Sequence, residues 1–261
     1  MPVIALHNRR FHYEDSGGSG TPVLALHGSF GRGTTFARIA ELLAPEYRVI
    51  APDLRGHGLS EGGGPFGRDE FVADAAGFVE ALELAPVLLL GHSLGGVTAY
   101  QLAARRPELV RAVVVEDVGA VTDVPEVEQP VLDVTRWPRS FSTYQEAVEF
   151  FAMTPAPGYF LESVVERGGR WELLYDLDEL MAVQRGNTGA WWDDWVAVPR
   201  PLLLLRASKS FLLSSGQAAE MVARRPGTEL VTLDCGHWIH REDPDGYVAA
   251  VRAFLAAVRT T

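Results

Sequence analysis

Six short apolar runs, set between helical stretches, constrain this chain more than any other feature. They are "VLALH" (23–27), "YRVIAP" (47–52), "PVLLLG" (86–91), "RAVVVED" (111–117), "PLLLLR" (201–206) and "ELVTLD" (229–234). Each is branched or leucine-rich and lacks apolar–polar alternation. A strand with one wet face alternates; a strand covered on both faces does not, and parallel strands are of that kind. Helical patterns at 38–44, 68–84, 96–106, 216–225 and 244–258 lie between or after the runs. Strand–helix alternation of this kind predicts an α/β fold with a doubly wound, mostly parallel sheet. "FHYED" (11–15) followed by "SGGSG" adds an early antiparallel strand and a turn.

The rhythm breaks between 121 and 198. Pro125, Pro130, Pro138, Pro155 and Pro157 cluster there, and four of the six tryptophans fall between 171 and 195. "TYQEAVEFF", "GYFLESVVER" and "LDELMAVQRG" read as amphipathic helices with no strand between them. The expected organisation is a core formed by 1–120 and 199–261, with a helical cap (121–198) inserted between two core strands. A chain of 261 residues, 47% of them hydrophobic, can bury a core of that size.

"LLLGHSLGG" (88–96) runs a strand into a serine between glycines, the pattern G-x-S-x-G. A strand ending and a helix starting within one residue forces Ser93 into a strained conformation, and the glycines remove side chains that would collide. The hydroxyl then projects above the sheet. The N–H of Leu94 points into the same space, beside the positive end of the helix.

A serine needs a base, usually a neutral imidazole. Of seven histidines, His237 in "LDCGHWIHREDP" follows a predicted strand and lies in a loop that can approach Ser93 from above. His240 competes but falls nearer the final helix. His7 and His12 read as surface or strand residues, His57 as a structural loop residue, and His92 as packing under the serine turn. A second oxyanion donor is expected from "LHGSFGRG" (26–33), as the N–H of Ser29 or Phe30. His27 reads as a structural residue of that loop.

These residues carry a family likeness. "LHGSFG", "PDLRGHGLS", "GHSLGG", "ARRPELVRAVVVEDVG" and "GHWIHREDP", in this order, make the chain resemble the α/β-hydrolase superfamily over nearly its full length. The resemblance implies a Ser93 nucleophile, a His237 base and a cap over the site. It also implies an acid after the strand "PLLLLR", but that stretch reads "RASKSFLLS", with Ser210 in the acid's place. Some members, among them haloalkane dehalogenases and lactone hydrolases, take their acid 24 residues after the nucleophile, which here is Asp117. Glu116 stands beside it as one alternative, and a triad with no functional acid is the other. Either carboxylate would hold the imidazole in the correct tautomer.

Phe30, Trp191, Trp192 and Trp238 are the expected substrate-pocket residues. Asp123, Glu126 and Glu128 read as a solvated acidic patch, and Cys235 as a buried inert thiol. A net charge of −11 with no basic run longer than two residues argues against nucleic acid. No metal or dinucleotide motif is present, so no cofactor is expected. No leader-like start and no run long enough to span a bilayer point to a cytoplasmic protein that uses no membrane. It would be a monomer or homodimer acting on a small molecule. The expected reaction is hydrolysis of a carboxylic ester or lactone of a small to medium apolar compound. A C–C bond hydrolase, a cofactor-free perhydrolase and a ligand-binding protein on a hydrolase scaffold are the alternatives.

Overall fold

The computed structural model describes residues 2–125 and 127–258, so the acidic-patch reading at Glu126 lies outside the described residues. The core begins with a hairpin, β1 (Val3–Leu6) and β2 (Arg9–Asp15). Its turn places His7 and Asn8 at φ 52° and 60°, the left-handed pair that a two-residue hairpin needs. β3 (Thr21–Leu26), α1 (Ala37–Leu43), β4 (Tyr47–Pro52), α2 (Arg68–Ala81), β5 (Val87–His92), α3 (Leu94–Arg105) and β6 (Val110–Glu116) follow.

An insertion then carries β7 (Ser140–Phe141), α4 (Tyr144–Phe151), α5 (Pro157–Leu161), β8 (Val164–Arg167), β9 (Arg170–Leu173), α6 (Leu177–Gly186) and α7 (Trp192–Ala197). The core resumes with β10 (Leu202–Ala207), α8 (Ser215–Arg224), β11 (Thr228–Leu233), α9 (Ile239–Glu242) and α10 (Pro244–Val258).

Eight strands form one sheet in the order β1-β2-β4-β3-β5-β6-β10-β11. β1 and β2 are antiparallel additions at one edge, and all pairs from β4 to β11 are parallel. The six apolar runs are these six parallel strands. Successive residues feed opposite faces. Leu24, Leu26, Leu89, Val113 and Leu204 join the core under α2 and α3. Val23, Ala25, Leu88, Val114 and Leu203 join the core under α1 and α10. The chain leaves β3 toward one edge and β5 toward the other, so their carboxyl ends flank a crevice where the winding reverses. Ligands of open α/β sheets bind at such a crevice.

The insertion is not wholly helical. β7, β9 and β8 form a three-stranded antiparallel sheet, so "GYFLESVVER" is not one helix. It ends as α5 at Leu161 and continues as strand β8. The cause is Gly168–Gly169, both at positive φ, which close a tight hairpin to β9. The insertion has its own apolar cluster around Phe151, Phe160 and Leu180, and this cluster includes Phe30 and Trp238 from core loops. α7 belongs to the core instead: Trp195 is fully buried, meets Tyr100 edge to face, and donates from Nε1 to the Met221 carbonyl. None of the described helices is long and apolar enough to cross a membrane.

Candidate active site

Ser93 occupies the corner between β5 and α3 at φ 52° and ψ −116°. A non-glycine residue held there costs about 1–3 kcal/mol, which the surroundings must supply. They do so by fixing both sides of the turn. The Ser93 N–H donates to the Glu116 carbonyl at 3.0 Å, and the Ser93 carbonyl accepts the Val97 N–H at 3.1 Å, opening the helix. A Cβ at Gly91 would collide with the Gly95 carbonyl, and one at Gly95 with the Leu26 carbonyl. Strand and helix can therefore cross in contact only with glycine at both places.

His237 lies in the loop between β11 and α9, and its Nδ1 stands 2.7 Å from Asp117 Oδ2. A carboxylate only accepts, so Nδ1 carries the proton and Nε2 is left free to act as a base. Asp117 is fully buried and directly follows β6, at φ 49°. That left-handed residue breaks the strand's alternation. Glu116 and Asp117, adjacent in sequence, consequently each meet a histidine of the same loop. Glu116 Oε1 accepts the His240 N–H at 3.0 Å and stands 2.7 Å from His240 Nδ1.

Ser210 touches this pair directly. Its hydroxyl accepts the N–H groups of Leu212 (3.1 Å) and Leu213 (2.8 Å) and donates to Asp117 Oδ2 at 2.6 Å. Asp117 Oδ1 accepts the Ala207 N–H at 2.8 Å. The position at which the family likeness implies an acid thus holds a hydroxyl that supports the acid on the neighbouring strand. Ser210→Ala orphans two N–H groups and one carboxylate contact. It is expected to lower stability by about 1–3 kcal/mol, read as a shifted urea midpoint.

Three further histidines lie beneath the site. His27 Nε2 accepts the Leu54 N–H at 2.9 Å and Nδ1 donates to the Gly28 carbonyl at 2.7 Å, which fixes one neutral tautomer. Burial pushes its pKa down to about 3. Burial, with His27 nearby, also brings His57 down to about 3. His92 is pushed well below its usual range by burial and by His237, and its Nε2 donates to the His237 carbonyl at 3.2 Å.

For each of these groups the folded pKa is the lower one; for His27 and His57 the unfolded chain therefore binds more protons between about pH 3 and 6.5. Their stabilisation is complete above pH 6.5 and is lost as the pH falls toward 3. Each histidine contributes a slope of about 1.4 kcal/mol per pH unit inside that window. Denaturant titrations from pH 7 to 4 should show a slope of at least two such protons; a flat profile would contradict the neutral tautomers.

His92, Glu116 and His240 bring possible ligand atoms within 4.8 Å of one another. Both ring nitrogens of His240 are already engaged, one with Glu116 and one with Thr35 Oγ1 at 3.0 Å. Glu116 and His240 form a hydrogen-bonded pair buried under the site, and the His92 ring packs edge-on against that of His240 at 4.9 Å. Cys235 is buried and its thiol is pushed up to about 12, chiefly by that burial, which leaves it unreactive.

Ser93 and His237 open on one cavity of about 260 Å³. Ser29, Phe30 and Trp238 are on its wall, together with His92, Val118, Val121, Leu132, Phe160 and Phe211. Leu94 is the first residue of α3, directly after Ser93. The expectation for Trp191 and Trp192 is overturned, since neither is on the wall. They pack against the core beside α7, and Arg224 lies over the Trp192 ring at 4.2 Å. A tryptophan pair can serve a pocket or glue a helix to a core, and here the amphipathic α7 needs the glue. Sequence reasoning missed Tyr159, whose hydroxyl lies 3.0 Å from the Gly28 carbonyl and 3.1 Å from that of Ser29. No local pattern around residue 159 marks it.

A model of the alpha/beta hydrolase family matches residues 23–250. Lipase LipV of Mycobacterium tuberculosis is 31% identical over 284 aligned positions, covering 97% of this chain and 98% of its own. The sn-1-specific diacylglycerol lipase ABHD11 of Mus musculus is 28% identical, covering 90% of this chain and 80% of its own. Among solved structures, E-2-(acetamidomethylene)succinate hydrolase superposes with a TM-score of 0.88 over 98% of both chains at 24% identity. That likeness bears on the fold alone.

Proposed function

Because this chain belongs to the alpha/beta hydrolase family and is a hydrolase, we propose that it cleaves a carboxylic ester of a small to medium, uncharged, apolar compound through an acyl-enzyme. The observation that carries this reading is the shared cavity: the strained Ser93 and the Asp117-paired His237 both open on it. Ser93 Oγ attacks the carbonyl carbon while His237 Nε2 takes its proton. Asp117 keeps His237 in the required tautomer and faces the imidazolium that forms. The N–H of Leu94 and that of Ser29 or Phe30 receive the oxyanion. The proton on His237 then passes to the leaving alcohol, and water repeats the sequence on the acyl-enzyme.

The wall supports the substrate class. Val118, Val121, Leu132 and Phe160 form an apolar surface, and Gln184, Asn187 and Thr188 supply polarity without charge. Among the described residues on that wall there is no lysine or arginine to receive an anionic substrate. The names of the two lipases agree with ester chemistry. Residues 121–198 would act as the cap that closes the cavity and sets acyl length.

A serine-directed fluorophosphonate tests the reading. Labelling at Ser93, together with turnover of p-nitrophenyl butyrate in preference to the palmitate, is the expected result. An unlabelled, inactive protein would leave the ligand-binding alternative standing.

A further inference from the structure

The two candidate oxyanion donors of the 28–30 loop share one anchor, and it comes from the insertion. In a trans peptide the C=O of one residue and the N–H of the next point in opposite directions. Fixing the Gly28 carbonyl therefore aims the Ser29 N–H, and fixing the Ser29 carbonyl aims the Phe30 N–H. The Tyr159 hydroxyl does both, donating between the two oxygens at 3.0 and 3.1 Å. The next carbonyl, that of Phe30, accepts from Ser163 Oγ at 3.3 Å. The Gly31 N–H closes the turn on Gly28 O at 3.1 Å. Phe30 is held at φ 68°, which an unsupported loop would not keep.

The approach is close by construction. A Cβ at Gly31 would collide with Tyr159 Oη. Tyr159 is 1% exposed, and its burial raises the phenol pKa well above the usual range, so the hydroxyl remains a donor at every working pH.

We propose that Tyr159, assisted by Ser163, is a positioning residue for the oxyanion hole. The insertion does more than wall the substrate in: it sets the direction of the backbone donors that face the reacting carbonyl. This rests on the acyl-transfer reading above. Seating α5 on the 28–31 loop and completing the oxyanion hole are then one event, and a state with α5 lifted binds ester without activating it.

The test uses the full chain and two readouts. One is kcat and KM for a p-nitrophenyl ester. The other is inhibition by an alkyl trifluoromethyl ketone: Ser93 Oγ adds to its carbonyl carbon, the hydroxyl proton passes to His237, and the former carbonyl oxygen becomes the oxyanion. Tyr159→Phe should lower kcat by about 10- to 100-fold with KM within about twofold, and ketone affinity should fall with kcat. Gly31→Ala keeps the phenol but displaces it, and should show the same split even where Tyr159→Phe folds poorly. Unchanged kcat and ketone affinity in the folded variants overturn the proposal, whatever happens to Tm. Failure of the unaltered protein to take a fluorophosphonate at Ser93 overturns the functional reading and this inference with it. Labelling of the unaltered protein with full activity in both variants sinks this inference alone.

Discussion

Ser93→Ala should lower kcat for a p-nitrophenyl ester by about 10⁶-fold, down to the level that a preformed oxyanion hole and binding supply without a nucleophile. The change removes one oxygen at a half-buried corner and leaves the backbone bonds to Glu116 and Val97 in place. Folding should be retained, since alanine inherits the same φ of 52° and loses only the hydroxyl. The pairing of lost turnover with preserved far-UV circular dichroism separates a nucleophile from a structural serine. Turnover within tenfold of the unaltered chain would remove Ser93 from the chemistry.

Asp117→Asn carries the second large effect, and the neighbouring Glu116→Gln is its control. An asparagine amide turned toward Nδ1 presents hydrogen to hydrogen, so His237 must shift its proton to Nε2 or turn away; either disables the base. The expected loss in kcat is about 10⁴-fold. Asparagine still fills the space, although the contacts from Ala207 and Ser210 lose their charged acceptor. Glu116 faces His240 instead, fully buried. Glu116→Gln should therefore cost stability, at about 1–3 kcal/mol, and leave kcat within a few-fold. The reverse ranking would exchange the roles of the two carboxylates.

The core was legible because its strands are buried on both faces. A strand such as "PVLLLG" has no other way to satisfy four apolar residues in a row, and its ends fall within a residue of those of β5. The serine corner was legible for a related reason: glycine at 91 and 95 answers a collision that backbone geometry makes unavoidable. The insertion was harder. "SVVERGGRWEL" contains a usable signal, two glycines between two short runs, yet its helical period competes with its hairpin, and the glycines decide in favour of the hairpin.

The environment of the acid shows a different limit. Asp117 follows from the 24-residue spacing that the family likeness implies, but that Ser210 donates to it depends on how β6 and β10 pair in space. Tyr159 is 131 residues from the loop it holds, and no spacing rule reaches that far. Trp191 and Trp192 illustrate the same point from the other side: composition places them near the cavity, and packing places them at the start of α7, against the core.

Phe30 and Trp238 sit in the apolar cluster of the insertion although both belong to loops of the core. The insertion is thus not an interchangeable module. A relative's lobe grafted onto this chain would arrive with sockets shaped for different side chains, and this core would offer it Phe30 and Trp238. Exchanging lobes to alter substrate range should succeed only when those two residues travel with the graft, because the joint lies in the packing and not at the ends of the transplanted segment.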